Sequence, residues 1–450
     1  MALSDNGRQR VLLLCMLYVA QGLPWGFMVT ALVSFLTQHG MGSTDAGWLT
    51  GIVLLPWTFK LVWGPVIDTV TIRSMGRRRP WIIGAQFLMA VTLLGILALG
   101  DFEPQSATSN SGGFSPQFIR WLGVMFFVHN CFASLQDVAT DALAMDVLPL
   151  AEQGRVNGLM WGAKLLGKAI GAVVMAQVMS LGNAYRPGWG IPCAVLVEFV
   201  LLIGIMLFPI CLLERPGEKR FPWSRGGERE PEAAGNFRDP RHLLHDLRRG
   251  FALVTTAALF IYGIFEVLGW GIVEVITKPL FTQQLGWDFV QFSSVSGGMA
   301  VVAELLGALA GGYVADRWGQ RKVTALGFGA YGLMHVIFGL CPGLWNERWF
   351  TSGYLILNPG ALAVGSVGFL ALAMNVSWTR AAATMFTIFM TLSNMGHVAG
   401  NLLAGRMRDH LQLSYEASFV VAGALTLVPL ALLWLVDVNS VTARRAEQQP

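Results

Sequence analysis

The chain is a succession of apolar runs, each about 20 residues long, separated by short polar stretches. A run of that length suits one helical crossing of a bilayer, because a helix rises ~1.5 Å per residue and satisfies its own backbone hydrogen bonds. Twelve runs can be read, at 11–36, 46–67, 80–100, 118–144, 157–182, 190–213, 251–276, 290–315, 323–342, 352–375, 382–405 and 415–437. They lack the in/out alternation of a membrane β-strand, which excludes a β-barrel. Charged residues make up 13% of the 450, about half the usual fraction. A water-exposed surface cannot be built from so few, which excludes a soluble enzyme. Cys15, Cys131, Cys193, Cys211 and Cys341 form no CxxC pair, so neither a disulfide framework nor a metal site is expected. Arg8 and Arg10 precede the first run, but no small-residue cleavage site follows at the right distance. The run is expected to be a retained helix.

The 31 Lys and Arg residues test the span assignment, since they crowd the cytoplasmic loops of membrane proteins. The tails and even-to-odd connections hold 22 of them, the opposite loops hold six (Arg120, Arg186, Lys278, Arg348, Arg406, Arg408), and three lysines lie inside runs. That asymmetry predicts both termini in the cytoplasm and accounts for the net charge of +4 without invoking nucleic acid. The longest polar stretch, rich in Pro, Gly and mixed charge, divides the runs six by six. The expected organisation is a six-helix bundle over 1–213, a cytoplasmic linker over 214–250, a second bundle over 251–437 and a cytoplasmic tail over 438–450.

An internal repeat supports the two halves. After the eighth run come Gly312, Asp316, Arg317, Gly319, Arg321 and Lys322; after the second come Gly64, Asp68, Gly76, Arg77, Arg78 and Arg79. Gly64 and Gly312, like Asp68 and Asp316, are 248 residues apart. The second loop resembles the GxxxDRxGxRK loop of the major facilitator superfamily, which that family carries between spans 2 and 3 and between spans 8 and 9. The resemblance implies an all-α integral membrane fold of twelve helices in two six-helix bundles. It also implies a gate at Gly64, Asp68, Arg77 and Arg78, and at Gly312, Asp316, Arg317 and Arg321. There, glycine permits close helix approach, and the aspartate meets a helix N-terminus and loop arginines.

In the first 170 residues the likeness narrows. Gly22-Leu23-Pro24, Phe59-Lys60 with Trp63 and Pro65, Gln136-Asp137 with Asp141-Ala142, and Asp146 to Pro149 with Glu152 to Gly154 resemble the AmpG-like muropeptide permeases and their relatives, the peptide and acetyl-coenzyme A transporters. That resemblance implies import of a bulky sugar-peptide or another anionic metabolite across the inner membrane by proton symport, by a monomer without cofactors. Relatives proposed to carry siderophores share the framework, and so do pigment-complex assembly factors that transport nothing.

A charge left inside a span costs roughly 2.5 to 3.5 kcal/mol on insertion scales unless it is answered, so each is a candidate. Asp137 and Asp141 share one face of a helix, and Lys164 and Lys168 share one face of the next. Lys60, Asp137 and Lys164 each lie roughly 10 Å from the same end of their spans, at ~1.5 Å per residue. Three readings stay open for this cluster. It can be a paired network that sets helix register; a site where Lys60, Lys164 and Lys168 meet an anionic substrate; or a proton-coupling site at Asp137 or Asp141. Lys168, the deepest, has the least obvious partner. In the second half Glu266 and Glu304 lie well inside their runs and suit a proton carrier, while Glu274 is read as a rim ion pair with Lys278. Gln21, Trp25, Asn130, Trp161, Trp270 and Asn375, with His129, Asn394, His397 and Asn401, fall in spans that the superfamily uses around its cavity. Neither a Walker loop nor HExxH or GxSxG occurs, which argues for ion-driven transport over ATP-driven transport or an enzyme.

Overall fold

The computed structural model describes residues 3, 6–70, 74–100, 102–103, 113–221, 223, 247–248, 250–377, 382–437 and 441, with the backbone alone at 61, 65, 68, 69, 150, 151, 153, 154, 382 and 383. The described residues are overwhelmingly helical. We number the helices α1 Gly7–Gln38, α2 Ser43–Leu54, α3 Lys60–Thr69, α4 Arg79–Leu97, α5 Pro116–Val147, α6 Leu150–Tyr185 and α7 Gly190–Cys211. There follow α8 Val254–Gln284, α9 Phe289–Trp318, α10 Gln320–Leu340, α11 Arg348–Val376, α12 Ala382–Gly405 and α13 Tyr415–Leu435. Ten of these segments are long and apolar enough to cross a membrane. The other two expected runs are helical as well: α2 and α3 are joined by the 3-10 turn Leu55–Phe59, and α12 covers the eleventh. Helix starts follow from the sequence. Asn6 caps α1 by accepting from the N–H groups of Arg8 and Gln9, and Ser115 caps α5 through Phe118 N–H.

The chain forms two compact units. One comprises Met1–Met41, Ile52–Gly235 and Asp288–Gly298; the other comprises Gly42–Gly51, Asn236–Trp287 and Met299–Pro450. In each, glycines set the tightest helix contacts. A Cβ on Gly22 of α1 would stand 2.1 Å from the Lys164 carbonyl oxygen of α6, and one on Gly171 of α6 would stand 2.1 Å from the Leu23 carbonyl oxygen. Only bare backbone can approach that closely. In the second unit a Cβ on Gly271 of α8 would stand 2.3 Å from the His397 carbonyl oxygen of α12, and one on Gly400 would stand 2.2 Å from that of Leu268. Tyr262, Phe328, Phe369 and Phe389 fill the adjoining core.

The helix axes are interrupted where polar groups gather. Pro24 is followed by a π-helical stretch, Gly26–Leu32. The 3-10 turn ends at Lys60, and α8 breaks at Glu266 and Val267.

One arginine counted above as a loop charge is structural. Arg79 is fully buried and donates to the carbonyls of Met75, Pro209, Ile210 and Lys219. Beside it, Gly76 has φ +97°, a conformation that favours glycine. That turn lets the N–H groups of Arg77, Arg78 and Arg79 converge on the Glu214 carboxylate at the start of α4. Glu218 accepts from the Glu214 N–H and lies 3.8 Å from Arg79. Lys278, placed above in a loop, is instead 3% exposed within α8, its ammonium donating to the Glu274 carbonyl. Helix α8 runs on to Gln284, so Lys278 joins the lysines inside spans.

Two predictions follow from this packing. Gly22→Ala destabilises the protein by about 1 to 3 kcal/mol, the usual cost of overpacking. Gly84→Ala, whose Cβ would meet nothing within 4 Å, leaves the thermal midpoint unchanged. Burial, reinforced by the Glu214 charge, pushes the Glu218 carboxyl from 4.5 up to about 7. Because the folded value lies above the unfolded one, its stabilising contribution is full below the unfolded value and is lost as pH rises through about 7. Glu218→Gln therefore matches the parent's thermal midpoint near pH 4.5 and exceeds it by a few degrees above about pH 7.

Candidate functional site

The first unit holds a charge cluster built from three spans. The Asp137 carboxylate, 2% exposed on α5, accepts from two ammoniums: Lys60 at the start of α3, and Lys164 of α6 at 3.3 Å. The matching depths read from the sequence thus become contact. One turn along α5, Asp141 accepts from the phenol of Tyr18 on α1. Lys164 is enclosed by rings, its ammonium 4.7 Å from Trp57, 5.6 Å from Tyr18 and 5.7 Å from Trp161. Lys60 lies 4.7 Å from the same Trp57. Lys168 does not join the pair around Asp137; its ammonium stands 4.6 Å over Trp25. The two lysines therefore point at different aromatic surfaces from one face of α6.

Amides and hydroxyls hold this constellation. Gln21 donates to Gln136 at 2.9 Å, and Gln136 donates to the Leu17 carbonyl. The Gln21 carbonyl oxygen is buried without a partner. Asn130 accepts from the Trp57 indole at 3.1 Å and donates to the Phe126 carbonyl, and Trp63 donates to Ser134. Trp161 remains 46% exposed. His129 is wholly buried, its Nδ1 beside Thr92 and the Met89 carbonyl, in keeping with a bundle hydrogen bond rather than a relay.

Sequence reasoning did not single out Tyr18 or Trp57. Their signal was helical spacing, Tyr18 three residues before Gln21 and Trp57 three before Lys60. It also passed over Glu198 of α7, which is fully buried with both carboxyl oxygens lacking a hydrogen-bond partner. A single acid in a strongly apolar run was legible as a candidate by the same rule applied to the others.

In the second unit Glu266, 2% exposed, accepts from Ser393 of α12 at 2.6 Å, and its second oxygen has no partner. Glu304 and Asn375 are part-buried. The Glu274 carboxylate, read above as a rim partner of Lys278, meets His397 Nε2 at 2.8 Å while staying within electrostatic range of Lys278, and Trp270 stacks on that imidazole. The correction arises because α8 and α12 touch at Gly271 and Gly400, which brings the side chains flanking those glycines together.

The repeat loops differ from the expected gate. A Cβ on Gly64 or Gly312 would meet nothing within 4 Å, so neither glycine mediates a close helix contact in this conformation. The Asp68 side chain lies outside the described residues. Arg78 pairs with Asp146 at the end of α5 at 2.8 Å, and the Arg77 N–H binds Glu214. Asp316 and Arg317 are exposed, Arg317 over the Tyr313 ring, and Arg321 donates to the Val436 carbonyl. Among the described residues Asp316 forms no ion pair with these arginines.

Known proteins agree with this architecture. The chain matches the Major Facilitator Superfamily over residues 14–400 and again over 259–450. It is 24% identical to the anhydromuropeptide permease of Escherichia coli K12, covering 95% of this chain and 79% of that one. It is 21% identical to a Rickettsia conorii protein named transporter AmpG 4, covering 93% and 94%. Among solved structures, a nucleoside transporter superposes with a TM-score of 0.67 at 13% identity, over 95% of this chain and all of the other. A D-xylose–proton symporter gives 0.67 at 12% identity, over 95% and 97%. The fold, the apolar spans and the family match lead to one conclusion: this chain is an integral membrane protein of the major facilitator superfamily, a secondary transporter resembling the AmpG-type permeases.

Proposed function

We propose that the chain carries a polar, anionic organic solute of the muropeptide kind across the cytoplasmic membrane by alternating access, coupled to protons. The observation that carries this reading is the sharing of one carboxylate, Asp137, by two ammoniums inside an aromatic enclosure. An anionic group entering the site competes with Asp137 for the ammoniums of Lys60 and Lys164. Trp57 and Trp25 supply flat faces beside the ammoniums, suited to sugar rings. The E. coli relative bears the name of a permease for anhydromuropeptides, and this supports the substrate class.

The site couples transport to protons as follows. A substrate carboxylate takes the ammonium of Lys164, and Asp137 loses one of its two counter-charges. An aspartate with less counter-charge in a low-dielectric site takes up a proton more readily. Asp141, held by Tyr18, and Glu266, held by Ser393, are further acids in spans at which protons are carried. The bundles 1–213 and 251–437 carry the alternating access, with the linker 214–250 and both termini cytoplasmic; the repeat loops at Asp68 and Asp316 gate that side. The protein acts as a monomer in the inner membrane.

Uptake of labelled anhydromuropeptide into vesicles collapses when a protonophore is added. Uptake that survives the protonophore and follows a sodium gradient would refute proton coupling. In a thermal-shift titration with anhydromuropeptides, coenzyme A esters and siderophores, only the first class stabilises the purified protein. Lys168→Met weakens that binding by about tenfold, ~1.4 kcal/mol, with expression unchanged. Unaltered affinity in this variant would return Lys168 to a packing role.

A further inference from the structure

The interior of the second unit contains a feature that the proposed coupling scheme does not use. The Leu268–Pro279 segment of α8 lies against α12 so closely that a Cβ on Gly271 would stand 2.3 Å from the His397 carbonyl oxygen, and one on Gly396 would stand 2.1 Å from that of Ile264. Trp270 and Glu274 are one helical turn apart and share the face that meets His397. The Trp270 ring stacks on the imidazole with centroids 3.9 Å apart and planes 24° apart. The Glu274 carboxylate meets the ring edge at Nε2, 2.8 Å away. The imidazole thus has an indole on its face and a carboxylate on its edge, and both paired side chains are nearly buried.

We infer that the His397–Glu274 dyad, covered by Trp270, is a proton-binding site of the second unit. With Glu274 ionised, Nε2–H donates to the carboxylate and Nδ1 carries the lone pair. A proton taken at Nδ1 turns that hydrogen bond into an ion pair and places a cation on the indole face, where the ring quadrupole stabilises it. The heavy atoms need not move, so the dyad holds the proton in a preformed cradle. Imidazole and carboxylate are groups that exchange protons, unlike the amides and hydroxyls around them.

Among the described residues, the following groups face the dyad. On α8, Lys278 lies one turn beyond Glu274 and donates to its carbonyl, and Glu266 stands earlier, bound to Ser393, one turn before His397 on α12. From α10, Tyr331 lies within electrostatic range of Glu274, its hydroxyl buried without a hydrogen-bond partner. From α13, Ala422 and Thr426 pack on Gly269 and bring no charge. From α2, Gly47 and Gly51 approach Asn401 and Leu402. Asn401, one turn after His397 and fully buried, has neither of its side-chain polar atoms hydrogen-bonded. Spare hydrogen-bonding capacity thus lies one turn from the imidazole.

The inference rests on the proton-coupled reading for its role in transport, but the protonation itself can be measured without substrate. Imidazolium quenches an indole stacked on it by accepting an electron from the excited state. The emission of Trp270 is isolated as the difference between the purified protein and Trp270→Phe, among the 16 tryptophans. That emission should fall reversibly on acidification, and the step should vanish in His397→Gln. Glu274→Gln should keep the step but change its midpoint. Flat Trp270 emission, a step that persists in His397→Gln, or an unchanged midpoint in Glu274→Gln overturns the dyad. If Trp270→Phe does not fold, total emission of the parent is compared with that of His397→Gln, and the same step must be lost. A step present while uptake ignores the protonophore leaves the dyad standing and removes the coupling scheme. Proton-driven uptake without the step removes the dyad alone.

Discussion

Inside hydrocarbon there is no water to answer a charge, so an ionised group left in a span is costly unless a counterpart on another helix meets it. Asp137 shows how far this constraint reaches. Its carboxylate is shared between Lys60 and Lys164, which ties α3, α5 and α6 at one depth. Tyr18 on α1 brings a fourth element in through Asp141. A hydrophobic core of the same size has no such directionality, since Leu against Leu is as good as Leu against lipid. The cluster therefore supplies register as well as charge, and these two roles are the same interaction. In the proposed scheme a solute that competes for the ammoniums loosens the packing of three helices, and this would link occupancy to conformational change.

What lets these groups meet is backbone contact at glycine. Gly22 and Gly171 let α1 and α6 approach until carbonyls face bare Cα atoms, and Gly271, Gly396 and Gly400 do the same for α8 and α12. In each case the polar residues flank the glycines: Gln21, Trp25, Lys164 and Lys168 in the first unit, Trp270, Glu274 and His397 in the second. The breaks in helical geometry at Leu55–Phe59 and at Glu266 lie next to the same groups. Interrupted helices expose backbone polar groups that a continuous helix hides, and they are tolerated at membrane depth where protein lines the site.

Much of the candidate site was legible because depth in a bilayer is a linear function of position along a helix. Counting residues from span ends placed Lys60, Asp137 and Lys164 together. The same arithmetic did not assign partners around the helix axis, because rotation and tilt are set by packing. Glu274 was therefore matched with Lys278, its neighbour in sequence, when its carboxylate faces His397, more than a hundred residues away. Lys278 and Arg79 were read as loop charges, but helix α8 extends further than its hydropathy suggests, and Arg79 spends its guanidinium on four carbonyls. The repeat glycines Gly64 and Gly312 were read as contact points, and no neighbour approaches either one.

Sequence by itself determined the environment of this protein, its helical spans, the internal repeat and the depth of its buried charges. These depend on hydrophobic length, basic-residue asymmetry and residue spacing, all properties of the chain in one dimension. Tertiary structure decided which charges pair, which aromatic faces enclose them and that His397 rather than Lys278 meets the Glu274 carboxylate. Those outcomes depend on how helices rotate and approach one another. That is governed by steric contact between residues distant in sequence, above all by where the absence of a side chain lets two backbones touch.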